Sequence, residues 1–182
     1  MPFEQVREAQ IQAMNERFQE QKDKIKVVAH RAAEAGITEI RSHSDMARIL
    51  LPHTAYKSYP ESWLMTARWY RLGKWLDTVS AYRVPPQNLD EITDMDDWIL
   101  HLQNSGHYVS CSSGTTGKSA MLVASKADID RVKRETISSY TWGSGVPACK
   151  DRRIFGVGAA IDVPRNRAGA EAYDEALQDP QF

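Results

Sequence analysis

Cysteine is scarce in this sequence. The chain has 182 residues and two cysteines, Cys111 and Cys149. Neither lies in a Cys-x-x-Cys pair or near a histidine at metal-ligand spacing. Two free thiols in a reducing compartment is the expected state. Long apolar runs are missing, so no segment reads as a membrane span. The opening residues, "MPFEQVREAQ", lack a basic region followed by an apolar one and do not read as a secretory leader. A cytoplasmic location is the expectation. There is no excess of either charge: the formal net charge is -1, which gives no electrostatic case for a nucleic-acid partner. No Gly-x-Ser-x-Gly elbow is present, and the histidines (His30, His43, His53, His101, His107) are scattered without a third metal ligand at useful spacing. The remainder is ordinary globular composition, 42% hydrophobic and 26% charged, fitting one domain or a portion of a larger one.

The first half reads as helical. Ile11, Met14, Phe18, Ile25, Val28 and Ala32 recur at helical spacing, predicting one helix over 3–35 that stops at Gly36. Ser44 and Asp45 are expected to open a short helix that Pro52 ends. "PHTAYKSYPESW" is expected to be looped. Within it Tyr56 and Lys57 are candidates for substrate contact, and His53, beside Pro52, could face a pocket but reads rather as solvent-exposed or satisfied within the core. Ser58 and Glu61 have capping-box spacing ahead of an apolar stripe, Met65, Trp69, Leu72, Leu76 and Val79. Trp63, Trp69 and Trp75 then read as core rather than as an aromatic cofactor site. Asp94, Asp96 and Asp97 lack the glycine and distal glutamate of a calcium loop and read as favourable charge at the N-terminus of a helix closed by Gly106.

Strand signals appear after Gly106. "HYVSCS" and "AMLVAS" flank "CSSGTTGKSAM". "SKADIDRVKRETISSY" continues the chain as a helix capped by Ser125 with Asp128 three residues on. "RRIFGVGAAID" reads as a buried strand and "AGAEAYDEALQDPQF" as a helix. The expected fold class is α/β, with a helical N-terminal segment over 1–85 and an incomplete α/β portion with part of a mixed sheet over 86–182.

The glycine- and hydroxyl-rich loop has two readings. A P-loop has the form G-x-x-x-x-G-K-[ST]. Gly117, Lys118 and Ser119 match its end, but Ser112 stands at the first glycine, and "HYVSCS" is not the near-continuous apolar strand that should precede it. An apolar run ending at Asp162 would have to supply the second motif. In the other reading the loop is a phosphate cradle between two strands. Gly114 and Gly117 let backbone N–H groups close on an anion. Ser112, Ser113, Thr115, Thr116 and Ser119 add hydroxyl donors, and Lys118 adds a compact positive charge.

"SSGTTGK", Ser112 to Lys118, resembles the phosphate-binding signature of the adenylate-forming (acyl-CoA synthetase, AMP-binding) superfamily and is most similar to its phenylacetate-CoA ligase-like branch. The order of the flanking segments, from the N-terminal helix through "LLPHTAYKSYPESW" to "SKADID", is similar over about residues 10–135. Ser119 replaces the usual Pro, and Ala120 and Met121 replace the usual Lys and Gly. The resemblance implies that Ser112, Ser113, Gly114, Thr115, Thr116, Gly117 and Lys118 hold the phosphates of ATP with Mg2+, and that a carboxylic acid is activated as an acyl-adenylate before transfer to a thiol such as coenzyme A. The superfamily's adenine, ribose and C-terminal lysine motifs are not found in these residues. The chain is therefore expected to act as the N-terminal portion of a ligase, inactive alone and completed by a downstream region or a separate partner chain. A non-catalytic binding or assembly half-domain prone to self-association is the alternative, and a P-loop NTPase fragment is a further one.

Overall fold

The computed structural model describes residues 2–84, 89, 91–112, 118–152 and 164–177, and only the backbone of 164–166. The chain is mixed α/β and mostly helical, with one two-stranded antiparallel sheet among the described residues. It forms two compact units: residues 1–100 with 111–122, and residues 101–110 with 123–182.

In the first unit the expected single helix is two. α1 spans Phe3–Gln21 and α2 spans Lys26–Ala35. No proline or glycine lies between them; the break is set by packing. Phe18 of α1 and Ala32 of α2 belong to one core cluster with Ile37, Ile40 and Ile49. A straight helix would hold residues 18 and 32 about 21 Å apart at 1.5 Å per residue. Folding α2 back lets both apolar stripes share that core. Gly36 ends α2 as expected, at φ 65° and ψ 28°. The Asn15 side-chain carbonyl accepts from the Ile40 amide at 2.9 Å, and Gln19 Nε2 donates to the Thr38 carbonyl at 2.8 Å.

α3 covers His43–Ile49, and its cap is Ser42 rather than Ser44. The Ser42 hydroxyl accepts from the Asp45 amide at 3.1 Å, while the Asp45 carboxylate accepts from Ser42 Oγ and the Arg41 amide. These bonds, the Ser42 hydroxyl first, hold the Asp45 carboxyl below its usual range. A 3-10 turn occupies His53–Lys57, in place of the expected loop.

The expected helix from Ser58 is also broken. α4 is the single turn Ser62–Met65 and α5 spans Trp69–Val79. Between them Ala67 takes φ 50°, a left-handed conformation unusual for alanine. Ser58 does not cap; its hydroxyl accepts from Trp75 Nε1 at 2.8 Å. α5 buries Trp69, Leu72, Trp75, Leu76 and Val79, so four of the five stripe residues are core. The fifth, Met65, is exposed. Trp69 stacks on Trp98 with ring centroids 5.8 Å apart and donates from Nε1 to the Ile92 carbonyl. Trp63 is half-buried beneath the Arg71 guanidinium.

α6 spans Met95–Asn104, and Gly106 lies beyond it at φ 82°. The acidic cluster serves this helix start. Asp94 accepts from the Asp97 amide at 2.9 Å, and Asp97 accepts from the Thr93 hydroxyl at 2.6 Å. β1 (His107–Cys111) pairs with β2 (Met121–Ser125).

In the second unit Ser125 caps α7, Lys126–Ser144, in a complete capping box with Asp128. α8, Pro164–Ala176, packs on α7. Lys133 pairs with Glu171, and Tyr140 meets the Tyr173 ring edge-on at 6.3 Å. The expected strand over 152–162 lies, apart from Arg152, outside the described residues.

Candidate functional site: the loop joining the two strands

The seven residues from Ser112 to Lys118 lie between β1 and β2. Ser113, Gly114, Thr115, Thr116 and Gly117 fall outside the described residues, whereas Ser112 and Lys118 fall within them. The neck of the loop is closed by paired bonds. The Ser112 amide donates to the Ala120 carbonyl at 2.9 Å, and the Ala120 amide donates back to Ser112 Oγ at 2.8 Å. One Ser112 oxygen lone pair is thereby committed to the neck, while its hydroxyl proton is left for another acceptor. Met121, one residue further, is fully buried. That buried residue and the Ser112–Ala120 pair hold both ends of the segment in place.

The element after Lys118 separates the two readings of the loop. A P-loop runs from its Lys-Ser directly into a helix whose N-terminus faces the phosphates. Here Lys118 and Ser119 lead into strand β2, and the next helix, α7, starts at Lys126. A helix dipole is not available at the P-loop position, so any anion held here depends on backbone N–H groups, hydroxyls and the Lys118 ammonium.

Lys118 is half-buried. Its ammonium donates to the backbone carbonyl of Tyr59 and lies 4.5 Å from the centroid of the Tyr59 ring. Tyr59 is fully buried. Its hydroxyl donates to the Ser119 carbonyl at 2.7 Å, and its ring meets Trp75 edge-on at 4.8 Å. Burial, with smaller contributions from Cys111 and Glu61, pushes the Tyr59 phenol above its ordinary range, so it stays a hydrogen-bond donor at neutral pH. The free thiol of Cys111 is exposed at the end of β1, next to Ser112.

His53 is exposed, and Tyr56 and Lys57 are half-buried in the 3-10 turn. His107 Nδ1 pairs with the Ser105 carbonyl at 3.0 Å. No group of three or more His, Cys, Asp or Glu side chains able to hold a metal occurs among the described residues. A cleft of about 520 Å3 between α7 and α8 is lined by Val132, Glu135, Thr136, Ser139, Tyr140 and Tyr173, and includes no loop residue. No helix among the described residues is long and apolar enough to cross a membrane.

Tyr59 escaped sequence reasoning. It lies outside any apolar period, and its partners are 59 and 60 positions away. The only local hint is an aromatic residue directly before Pro60, a position biased toward extended backbone. Compared with protein-family models, with curated proteins and with solved structures, the chain matches none.

Proposed function

We propose that this chain is the phosphate-holding, N-terminal portion of an adenylate-forming ligase. In this reading a carboxylic acid attacks the α-phosphate of ATP, giving an acyl-adenylate and pyrophosphate, and the acyl group then passes to a thiol such as coenzyme A. The observation that carries the reading is the strand–loop–strand setting of "SSGTTGK", with Lys118 leading into β2 rather than into a helix. The loop's task is to hold the β- and γ-phosphates so that attack at the α-phosphate is in line, which is catalysis by position and charge. Ser113, Thr115 and Thr116 would donate hydroxyls and Gly114 and Gly117 backbone N–H groups, with Lys118 the cation. Mg2+ bound with the nucleotide would neutralise charge on its phosphates. Adenine, ribose and acid contacts would come from a downstream region or a partner chain, in the cytoplasm.

Acid-dependent exchange of labelled pyrophosphate into ATP tests this in the protein at its full natural length. Exchange that requires both Mg2+ and a carboxylic acid is expected. Exchange absent with every acid of a broad pool, under conditions where MgATP binds, contradicts the reading.

A second reading, a non-catalytic assembly module, draws on exposed apolar side chains: Trp142 of α7 is 90% exposed and Met65 81%. The outer edges of the β1–β2 pair are also unpaired among the described residues, and a lone two-stranded sheet is marginal. Concentration-dependent sedimentation with no nucleotide turnover is the outcome that favours it.

A further inference from the structure

We infer that Tyr59 is a positioning residue for the loop, acting through Lys118 and Ser119. The inference rests on the ligase reading for its functional consequence but not for its structural one.

Tyr59 engages the loop exit three ways. Its hydroxyl holds the Ser119 carbonyl, its own carbonyl accepts from the Lys118 ammonium, and its ring lies under that ammonium at 4.5 Å. Two consecutive residues at the loop exit are thus held by a single residue of the helical segment. Tyr59 is in turn fixed from behind. It has no exposed surface, Trp75 of α5 packs edge-on against its ring, and Trp75 Nε1 is tied to Ser58, the residue before Tyr59. A buried aromatic with a satisfied hydroxyl and a braced ring has little freedom to move. It is therefore a rigid stop for a lysine that would otherwise sample many rotamers.

The arrangement also explains how the ammonium can serve a phosphate. A cation over an aromatic face is attracted without using up its N–H donors. Lys118 has three donors, and one is on the Tyr59 carbonyl. Trading that neutral carbonyl for an anionic phosphate oxygen gives a stronger, charge-assisted bond while the ring contact persists. Tyr59 thus keeps Lys118 within reach of the loop in the absence of ligand, and the ordering cost on binding is reduced.

The test pairs hydrogen exchange with binding in the intact protein, using wild type, Tyr59→Phe, Lys118→Ala and the double variant. Tyr59→Phe keeps the ring and the fold and removes only the hydroxyl. Matched melting curves at neutral pH, within a few degrees, check the fold. Without ligand, Tyr59→Phe should speed exchange of the Ser112 and Ala120 amides, which close the loop neck, several-fold and leave α1–α3 unchanged. MgATP binding by calorimetry should weaken roughly 3- to 10-fold, the range of one lost hydrogen bond. In the Lys118→Ala background, Tyr59→Phe should have little further effect on binding. Unchanged exchange in Tyr59→Phe overturns the inference. Equal losses in both backgrounds overturn action through Lys118. Wild type that binds neither MgATP nor magnesium pyrophosphate defeats the ligase reading instead, and the exchange data still decide what Tyr59 does.

Discussion

Tyr59 and Lys118 stand 59 positions apart in the chain and meet twice: the lysine ammonium donates to the tyrosine carbonyl and also lies 4.5 Å from the centre of the tyrosine ring. The contact joins the segment before α4 to the exit of the glycine-rich loop. It links the helical part of the first unit to the described exit of the loop.

Removing the cation should cost binding and not folding. Lys118 is half-buried, and among the described residues its ammonium has no carboxylate partner. Lys118→Ala leaves no buried charge unpaired, so its melting temperature should stay within a few degrees of wild type. MgATP affinity should fall about 10-fold or more, as expected for loss of a charged hydrogen bond worth roughly 1.5–3 kcal/mol. Calorimetric titration of both proteins measures this, and equal affinities would remove Lys118 from the site.

Cys111 offers a label at the loop entrance. It is exposed and next to Ser112. Occupancy of the loop should slow its alkylation by iodoacetamide several-fold, with Cys149 as internal reference. Mass spectrometry of the two peptides with and without MgATP reads the ratio. An unchanged ratio at saturating nucleotide would mean that the nucleotide lies elsewhere.

The phenol of Tyr59 makes a specific prediction in alkali. Burial raises its folded-state value above the ordinary 10.0, so the unfolded chain ionises first. The phenol's contribution to stability is fully present below about pH 10 and is lost as the pH rises through the folded-state value. Wild type should be more stable than Tyr59→Phe by a constant margin up to about pH 9, and the margin should shrink above about pH 10. Denaturant melts across this range test it. A margin that stays constant through the alkaline range would contradict the buried-donor assignment.

Two packing changes calibrate the fold. Leu76 of α5 has no exposed surface, so Leu76→Ala should destabilise by about 2–5 kcal/mol. Ser125→Ala breaks the capping box of α7 and should cost about 1 kcal/mol. Denaturant unfolding monitored by circular dichroism checks both, and a reversed order of severity would place α5 outside the core.

The features legible in the sequence were those set by neighbours along the chain. The left-handed stop at Gly36, the Ser125–Asp128 box and the acidic start of α6 depend on groups within four residues, and each formed where its residues predicted. The same holds for the strands on either side of the loop. The features that were not legible depend on distant partners. Nothing between Gln21 and Lys26 breaks a helix intrinsically; the turn forms because Phe18 and Ala32 share a core with Ile37, Ile40 and Ile49. Ser58 has the spacing of a cap, but its hydroxyl goes to Trp75, 17 residues on. At the site, "SSGTTGK" suggests an anion loop through its hydroxyls, glycines and lysine, but its residues 113–117 lie outside the described residues, and the tyrosine that holds the loop exit carries no periodic or motif signal.

The central claim is most directly tested by identifying the nucleotide product. The protein at its full natural length, given ATP, Mg2+ and a mixed pool of carboxylic acids, should release AMP and pyrophosphate, with turnover depending on the acid and falling several-fold or more in Lys118→Ala. Release of ADP and phosphate, independent of any acid, would contradict the account.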